Sequence, residues 1–178
     1  GSPEPVIATF DVGRVVLTGA VPDEAAKEQL GSLALANSRD PANTSVDNQL
    51  VINPAVPLGV GVRVIELTST RFPEGSAEIL LPHAAELNRV KTVMDLLPNV
   101  SVLIVGHADQ RGDDAVNFAI SDARARAVFD YLVSQGVTPS RLSSRAVGEA
   151  DLLSINDDAA SLALNRRTEF IFYGLLIP

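Results

Sequence analysis

Cysteine is absent from the 178 residues, tryptophan is absent too, and methionine occurs once. The missing thiol excludes disulfides, thiol nucleophiles and cysteine-ligated zinc, and leaves the redox compartment unassigned. Aromatic residues amount to only 4%, so an aliphatic core of Val, Leu, Ile and Ala is expected. Positive charge is also scarce: 14 Lys and Arg stand against 22 Asp and Glu, a formal net charge of -8. A phosphate-binding surface needs a basic footprint, so nucleic acid is excluded as a partner. A small ligand responds to its local site instead, and is not excluded. No apolar run approaches the roughly 18–20 residues of a membrane-spanning helix; "VSVLIVG" and "FIFYGLLI" have the length of strands.

What is present is ordinary for a globular chain, with 46% hydrophobic and 20% charged residues, enough for a real core. The length suits one domain and a small second unit. The opening Gly1-Ser2-Pro3 reads as a cloning scar, which leaves export undetermined. Residues 4–53 read as a β-β-α-β unit. Two short strands flank Asp11-Val12-Gly13, whose glycine suits a tight turn. A helix follows from Pro22 and Asp23, with Ala25, Leu30, Leu33 and Ala34 as its apolar face, and "VDNQLVIN" alternates as a strand. Two prolines and two glycines in "NPAVPLGVG" mark residues 54–61 as a linker.

Beyond the linker, strands and helices alternate. "VRVIEL" is a strand, and Leu87, Val90, Met94 and Leu97 give a helix that stops at Pro98-Asn99. "VSVLIVG" is a buried strand, and a helix runs from about Asp114 to Gln135 with Gly136 past its end. "RLSSRAV" is a strand, "DDAASLALNRR" a short helix and "TEFIFYG" a closing strand. The pattern predicts an α+β, α/β-like sandwich with helices packed on one sheet.

The stretch "GHADQRGDDAVNFAISDARARA", residues 106–127, carries the chemistry. On a helical wheel Val116, Ile120, Ala123, Ala127 and Tyr131 gather as the core face. Asn117, Ser121 and Arg124 form a polar stripe about 60–80° away, at the border between core and water, and Arg126 points into solvent. Gly112 eases the preceding turn, Asp113 or Asp114 caps the helix, and the turn carries Asp109 towards Asn117 and Arg124. A carboxylate that accepts from an ammonium, a guanidinium that grips a carboxylate and an amide between them make a receptor for an amino acid-like group. Loop N–H groups near the helix start add a positive dipole for an anion. On spacing alone, a solvated ion pair or a cap is the more usual role of an Asp and an Arg near a helix start.

"GHADQRGDDAVNFAISDARARAVFDYLVSQGV" resembles the signature of the OmpA-like peptidoglycan-binding family: GHTD-x-x-G, then N-x-x-LS-x-x-RA, then V-x-x-YL-x-x-x-GV. Gly106, His107, Asp109, Gly112, Asn117, Ser121, Arg124 and Ala125 fall in register. Gly148-Glu149, Asn156, "NRRTEF" and "RFPEGSAEIL" match further family segments, and the resemblance spans residues 62–174. It implies a mixed β-α-β-α-β-α-β sheet with helices packed on it. It also implies a non-catalytic envelope protein, in the periplasm or cell wall, that binds the diaminopimelate residue of peptidoglycan stem peptides. By position, Asp109 takes the diaminopimelate ammonium, Arg124 its carboxylate, and Asn117 and Ala108 line the pocket. The chain departs from the pattern at Ala108, where the family has Thr, at Ala146-Val147 in place of Gly-Tyr, at Leu152 in place of Pro, and at Gly75, which offers no side chain. Residues 13–34 with "SVDNQLVIN" resemble a BON domain, a module linked with envelopes and lipid surfaces. The two together resemble envelope proteins of the OmpATb type.

Other chemistry finds little support. His107 and Asp109 lack metal-ligand company, the only other histidine being His83, and "DQRGDD" lacks the EF-hand spacing. Ser121 has no histidine to activate it. Arg166 and Arg167 read as salt-bridge or helix-dipole residues, with glycan contact as the sharper alternative. No enzyme activity, metal or cofactor is expected. The expected partner is peptidoglycan. The competing reading is an envelope scaffold or pore-associated protein with a vestigial pocket, whose BON-like unit contacts a membrane or another protein.

Overall fold

The computed structural model describes residues 5–57, 61–66 and 71–175. They form two compact units: residues 1–68, 96–101 and 170–178, and residues 69–95 with 102–169. Residues 58–60 of the expected linker lie outside the described residues, and the first unit extends past 54–61, because the strand after it pairs with the first strand of the chain.

In the first unit β1 (Val6–Asp11) turns at Val12-Gly13 and pairs antiparallel with β2 (Arg14–Thr18). Gly13 takes a left-handed φ of 68°, which is what a two-residue hairpin turn demands. Helix α1 (Glu24–Ala36) is capped by Asp23, whose carboxylate accepts from Ala26 N–H, and it buries Ala26, Leu30 and Ala34. A short parallel pair, β3 (Ala20–Val21) with β5 (Val51–Ile52), lies apart from the main ladder. That ladder continues through β4 (Ser45–Asn48), parallel to β2, and β6 (Val62–Glu66), parallel to β1. The last strand, β9 (Thr168–Tyr173), joins β6 antiparallel. The expected β-β-α-β order is present, with two extra short strands.

The second unit contains α2 (Leu81–Leu96), most of β7 (Ser101–Gly106), α3 (Asp114–Ser134), β8 (Leu142–Ala146), α4 (Ala159–Asn165) and the start of β9. Strand β7 runs parallel to β8, and the ladder order is β9-β7-β8. From β6 to β9 the elements follow β-α-β-α-β-α-β, so the expected mixed sheet with packed helices is the fold observed. Helix α2 buries Leu87, Val90 and Met94, as their spacing implied.

Helix α3 corrects the expected core face. Its buried residues are Asn117, Ser121, Arg124, Ala125, Val128 and Leu132, while Val116 is 57% exposed and Ala123 lies at the surface. The stripe assigned to the border with water is therefore the inward face. The cause lies in what the helix meets. Its second half packs apolar residues, but its first half faces turns whose backbone groups need partners. Ser121 Oγ accepts from Gly148 N–H at 3.0 Å and donates to the Phe118 carbonyl at 2.8 Å.

Gly106 shows how closely β7 and α3 approach: a Cβ there would lie 2.0 Å from the Ser121 carbonyl oxygen. Backbone would have to move to admit it. Gly106→Ala is therefore expected to cost about 3 kcal/mol or more of stability, read as a lowered urea midpoint; an unchanged midpoint would refute the close contact.

Candidate functional site

The candidate residues come together at the end of β7 and the start of α3. Asp113 caps α3 through Val116 N–H at 2.9 Å, and Gly112 at φ 97° lets the loop turn into the helix. This fixes the segment from His107 to Asp109 relative to the first three turns of α3.

Arg124 is the centre of the arrangement. Its guanidinium donates Nε–H to the Ser76 carbonyl at 2.9 Å, Nη1–H to the His107 carbonyl at 2.9 Å, and Nη2–H to the Pro73 carbonyl at 3.2 Å. It also lies 5.3 Å from the centroid of the Phe72 ring, within cation–π range. The residue is 1% exposed, which corrects its expected position at the edge of the core. Three of its five N–H donors are used, all on neutral acceptors, and among the described residues no carboxylate pairs with it. Burial, with the Arg166 charge, pushes its pKa down to about 10, against the pull of Asp109. At neutral pH it is still a cation, deprived of water and of a counter-ion.

Asp109 is also buried, and its carboxylate is crowded with donors. Arg111 gives its backbone N–H at 3.1 Å and Nε–H at 3.4 Å to Oδ1, and Nη2–H at 3.1 Å to Oδ2. Arg166 Nη1–H adds 2.9 Å to Oδ2 while its Nε–H holds the Phe72 carbonyl at 2.9 Å. Burial pushes the carboxyl pKa up, but the bonds from Arg111 and Arg166 outweigh it and leave it below the ordinary value. Asp109 and Arg124 therefore sense one another's charge without forming an ion pair.

Asn117 is buried, and its Nδ2–H donates to Glu149 Oε2 at 2.5 Å. Ala108 is buried, and its N–H is spent on the Gly148 carbonyl at 2.8 Å. His107 N–H goes to the Arg167 carbonyl. The backbone amides of His107, Ala108 and Arg111 are thus already used within the protein.

Two participants escaped the sequence reading. Glu149 was seen only as part of a Gly-Glu match, and Arg166 only as a salt-bridge or glycan residue. The signal for both was their place in segments remote in sequence yet in register with the same family pattern. Arg167, beside Arg166, makes a buried pair with Glu169, Nε to Oε1 at 2.7 Å. Among the described residues no cluster of three His, Cys, Asp or Glu is placed to hold a metal ion.

A family model described as OmpA family matches residues 71–166, more than half of the chain. The chain belongs to the OmpA family. Its OmpA module resembles a peptidoglycan-associated lipoprotein of Rhizobium meliloti, 34% identical over 103 residues, covering 58% of this chain and 58% of that protein. The peptidoglycan-binding protein ArfA of Mycobacterium tuberculosis is 26% identical over 165 residues, 88% of this chain and 51% of ArfA. That alignment extends well beyond the OmpA module. The crystal structure of the peptidoglycan-associated lipoprotein from Burkholderia pseudomallei superposes with a TM-score of 0.56 at 27% identity, covering 58% of this chain and 87% of that one. The chain spans between 51% and 58% of the length of the two curated relatives. The match at 71–166 does not reach the BON-like segment, which still rests on its sequence motif.

His107 generates a pH test. Its ring is 1% exposed, with Nε2 3.5 Å from Glu169 Oε2. Burial is the main force keeping it neutral, opposed by Glu169 and reinforced by Arg167. Unfolding frees the ring to bind a proton near its ordinary 6.5. The unfolded chain therefore takes up more protons than the folded one below that pH, and stability falls on acidification, by up to about 1.4 kcal/mol per pH unit. His107→Gln should flatten the melting temperature profile between about pH 6.5 and 5; profiles parallel to wild type would show that His107 does not contribute.

Proposed function

We propose that this chain is a non-catalytic protein of the cell envelope that binds peptidoglycan through the diaminopimelate residue of its stem peptide. Asp109 receives the ammonium and Arg124 the carboxylate of that residue's free end, with Asn117 bordering the site. The observation that carries the reading is Arg124: a buried guanidinium that meets only neutral carbonyls of its own chain. A cation taken out of water costs several kcal/mol unless an anion offsets it, and two of its N–H donors remain for one. Membership of the OmpA family, with relatives named as peptidoglycan-associated and peptidoglycan-binding, supports the class of ligand. Ala108 contributes no free donor to this scheme, since its N–H is engaged.

Access to Arg124 requires the Pro73–Ser76 segment, which supplies two of its three carbonyls, to shift. Pro73, Glu74 and Gly75 are exposed, so this segment is a surface cover and not core. Binding is non-covalent: the site offers charge and hydrogen bonds, and among the described residues no activated nucleophile stands beside them.

The saturation of Asp109 by its own arginines supports one rival, an envelope scaffold in which the pocket is a structural remnant. Sedimentation with isolated diaminopimelate-type sacculi separates the two. Asp109→Asn and Arg124→Lys, each shown by thermal melting to be folded, should lose at least about tenfold in retention, because each removes charge-assisted bonds or the fork geometry of the guanidinium. Retention equal to wild type in both variants would leave the scaffold reading standing.

A further inference from the structure

We infer that Arg111 is the specificity-determining residue of this site, a displaceable stand-in that admits zwitterionic ends and turns away simple amines. The inference rests on the binding role proposed above for Asp109. A carboxylate offers about four acceptor positions, and all four at Asp109 are filled: three by Arg111 and one by Arg166. An incoming ammonium finds no acceptor while the Arg111 side chain stays.

The two arginines differ in how they can respond. The Arg166 side chain is 14% exposed and anchored to the Phe72 carbonyl as well as to Asp109. The Arg111 side chain is 43% exposed and its second partner is Glu74, at 3.0 Å from Nη2, itself 73% exposed. Arg111 is therefore the mobile one. Its departure frees two acceptor positions on Asp109, those taken by Nε and Nη2, on the side open to solvent.

Arg111 also spans two parts of the site. Through Glu74 it ties the Pro73–Ser76 segment, whose carbonyls cover Arg124, to the Asp109 carboxylate. Releasing Arg111 from Asp109 loosens that cover. A ligand with an ammonium alone must evict Arg111 and leaves its guanidinium with one exposed partner. A ligand that carries a carboxylate beside its ammonium exchanges partners, its ammonium taking Asp109 while the carboxylate that Arg124 grips offers Arg111 a remaining acceptor position. The cost of eviction thus falls hardest on amines that lack the second charge.

Three muramyl tripeptides test this, ending in meso-diaminopimelate, in its side-chain amide, and in lysine, which keeps the side-chain ammonium and lacks the side-chain carboxylate, the α-carboxylate being common to all three. Calorimetric titration of wild type should rank them in that order, with diaminopimelate ahead of lysine by about tenfold, the scale of one charge-assisted interaction. In Arg111→Ala the lysine ligand should gain at least about threefold and the ratio should shrink accordingly. Arg111→Lys, which restores a cation, should recover part of it, and Arg126→Ala, an exposed control paired with Asp122, should leave the ratio unchanged. In the unliganded Arg111→Ala protein, carbon NMR should show the Asp109 carboxyl titrating at higher pH than in wild type. An unchanged ratio, or equal weakening of all three ligands, overturns the role of Arg111 alone. Failure of wild type to bind any of the three overturns the binding role of Asp109 and this inference with it.

Discussion

A guanidinium shut away from water, held by three carbonyls and the Phe72 ring and paired with no carboxylate among the described residues, is the constraint on which the second unit is built. Arg124 takes the carbonyls of Pro73, Ser76 and His107, and so ties two stretches of backbone, the Pro73–Ser76 turn and the end of β7, to helix α3. A buried carbonyl without a partner costs about 1–3 kcal/mol, and Arg124 supplies the donor for the buried His107 carbonyl while also binding those of Pro73 and Ser76. The same side chain carries a charge whose burial is expensive. A single residue therefore both holds the turns together and leaves an electrostatic debt at the place where they meet.

That debt is local and runs against the sign of the whole chain. The protein as a whole carries -8. Around Asp109, however, Arg111, Arg124 and Arg166 gather beside Asp109 and Glu74, with Glu149 held by Asn117, so the acidic balance of the whole chain does not hold here. The charge near the site is thus one that net composition does not reveal. The arginines differ in burial, and the most exposed one, Arg111, lies across the carboxylate that an ammonium would need. In the proposed scheme selectivity and structural support fall to chemically identical groups that differ only in what surrounds them.

The fold was largely legible from the chain because local signals and pattern agreed. Asp23, Asp113 and Asp158 each cap the helix that follows with a side-chain oxygen. Gly13 and Gly136 adopt the left-handed backbone their positions demand. The site was legible as residues and not as an arrangement. The wheel for α3 chose its apolar side, Val116 and Ala123, because apolar residues are the usual guide to the interior. The inward face instead carries Asn117, Ser121 and Arg124, since the neighbours there are polar turns. Glu149 and Arg166 stand 32 and 57 positions from their partners Asn117 and Asp109, and no local periodicity spans such distances.

The sequence by itself determined the order of strands and helices, their caps and turns, the aliphatic character of the core and membership of the OmpA family. Those properties are written in short-range spacing and in a motif that stays in register along the chain. Only the tertiary structure decided which face of α3 is buried, that Arg124 is spent on backbone carbonyls, and that Arg111 and Arg166 occupy Asp109. Hydrogen-bond partners and burial depend on what packs against a side chain, and that is fixed only when remote segments meet.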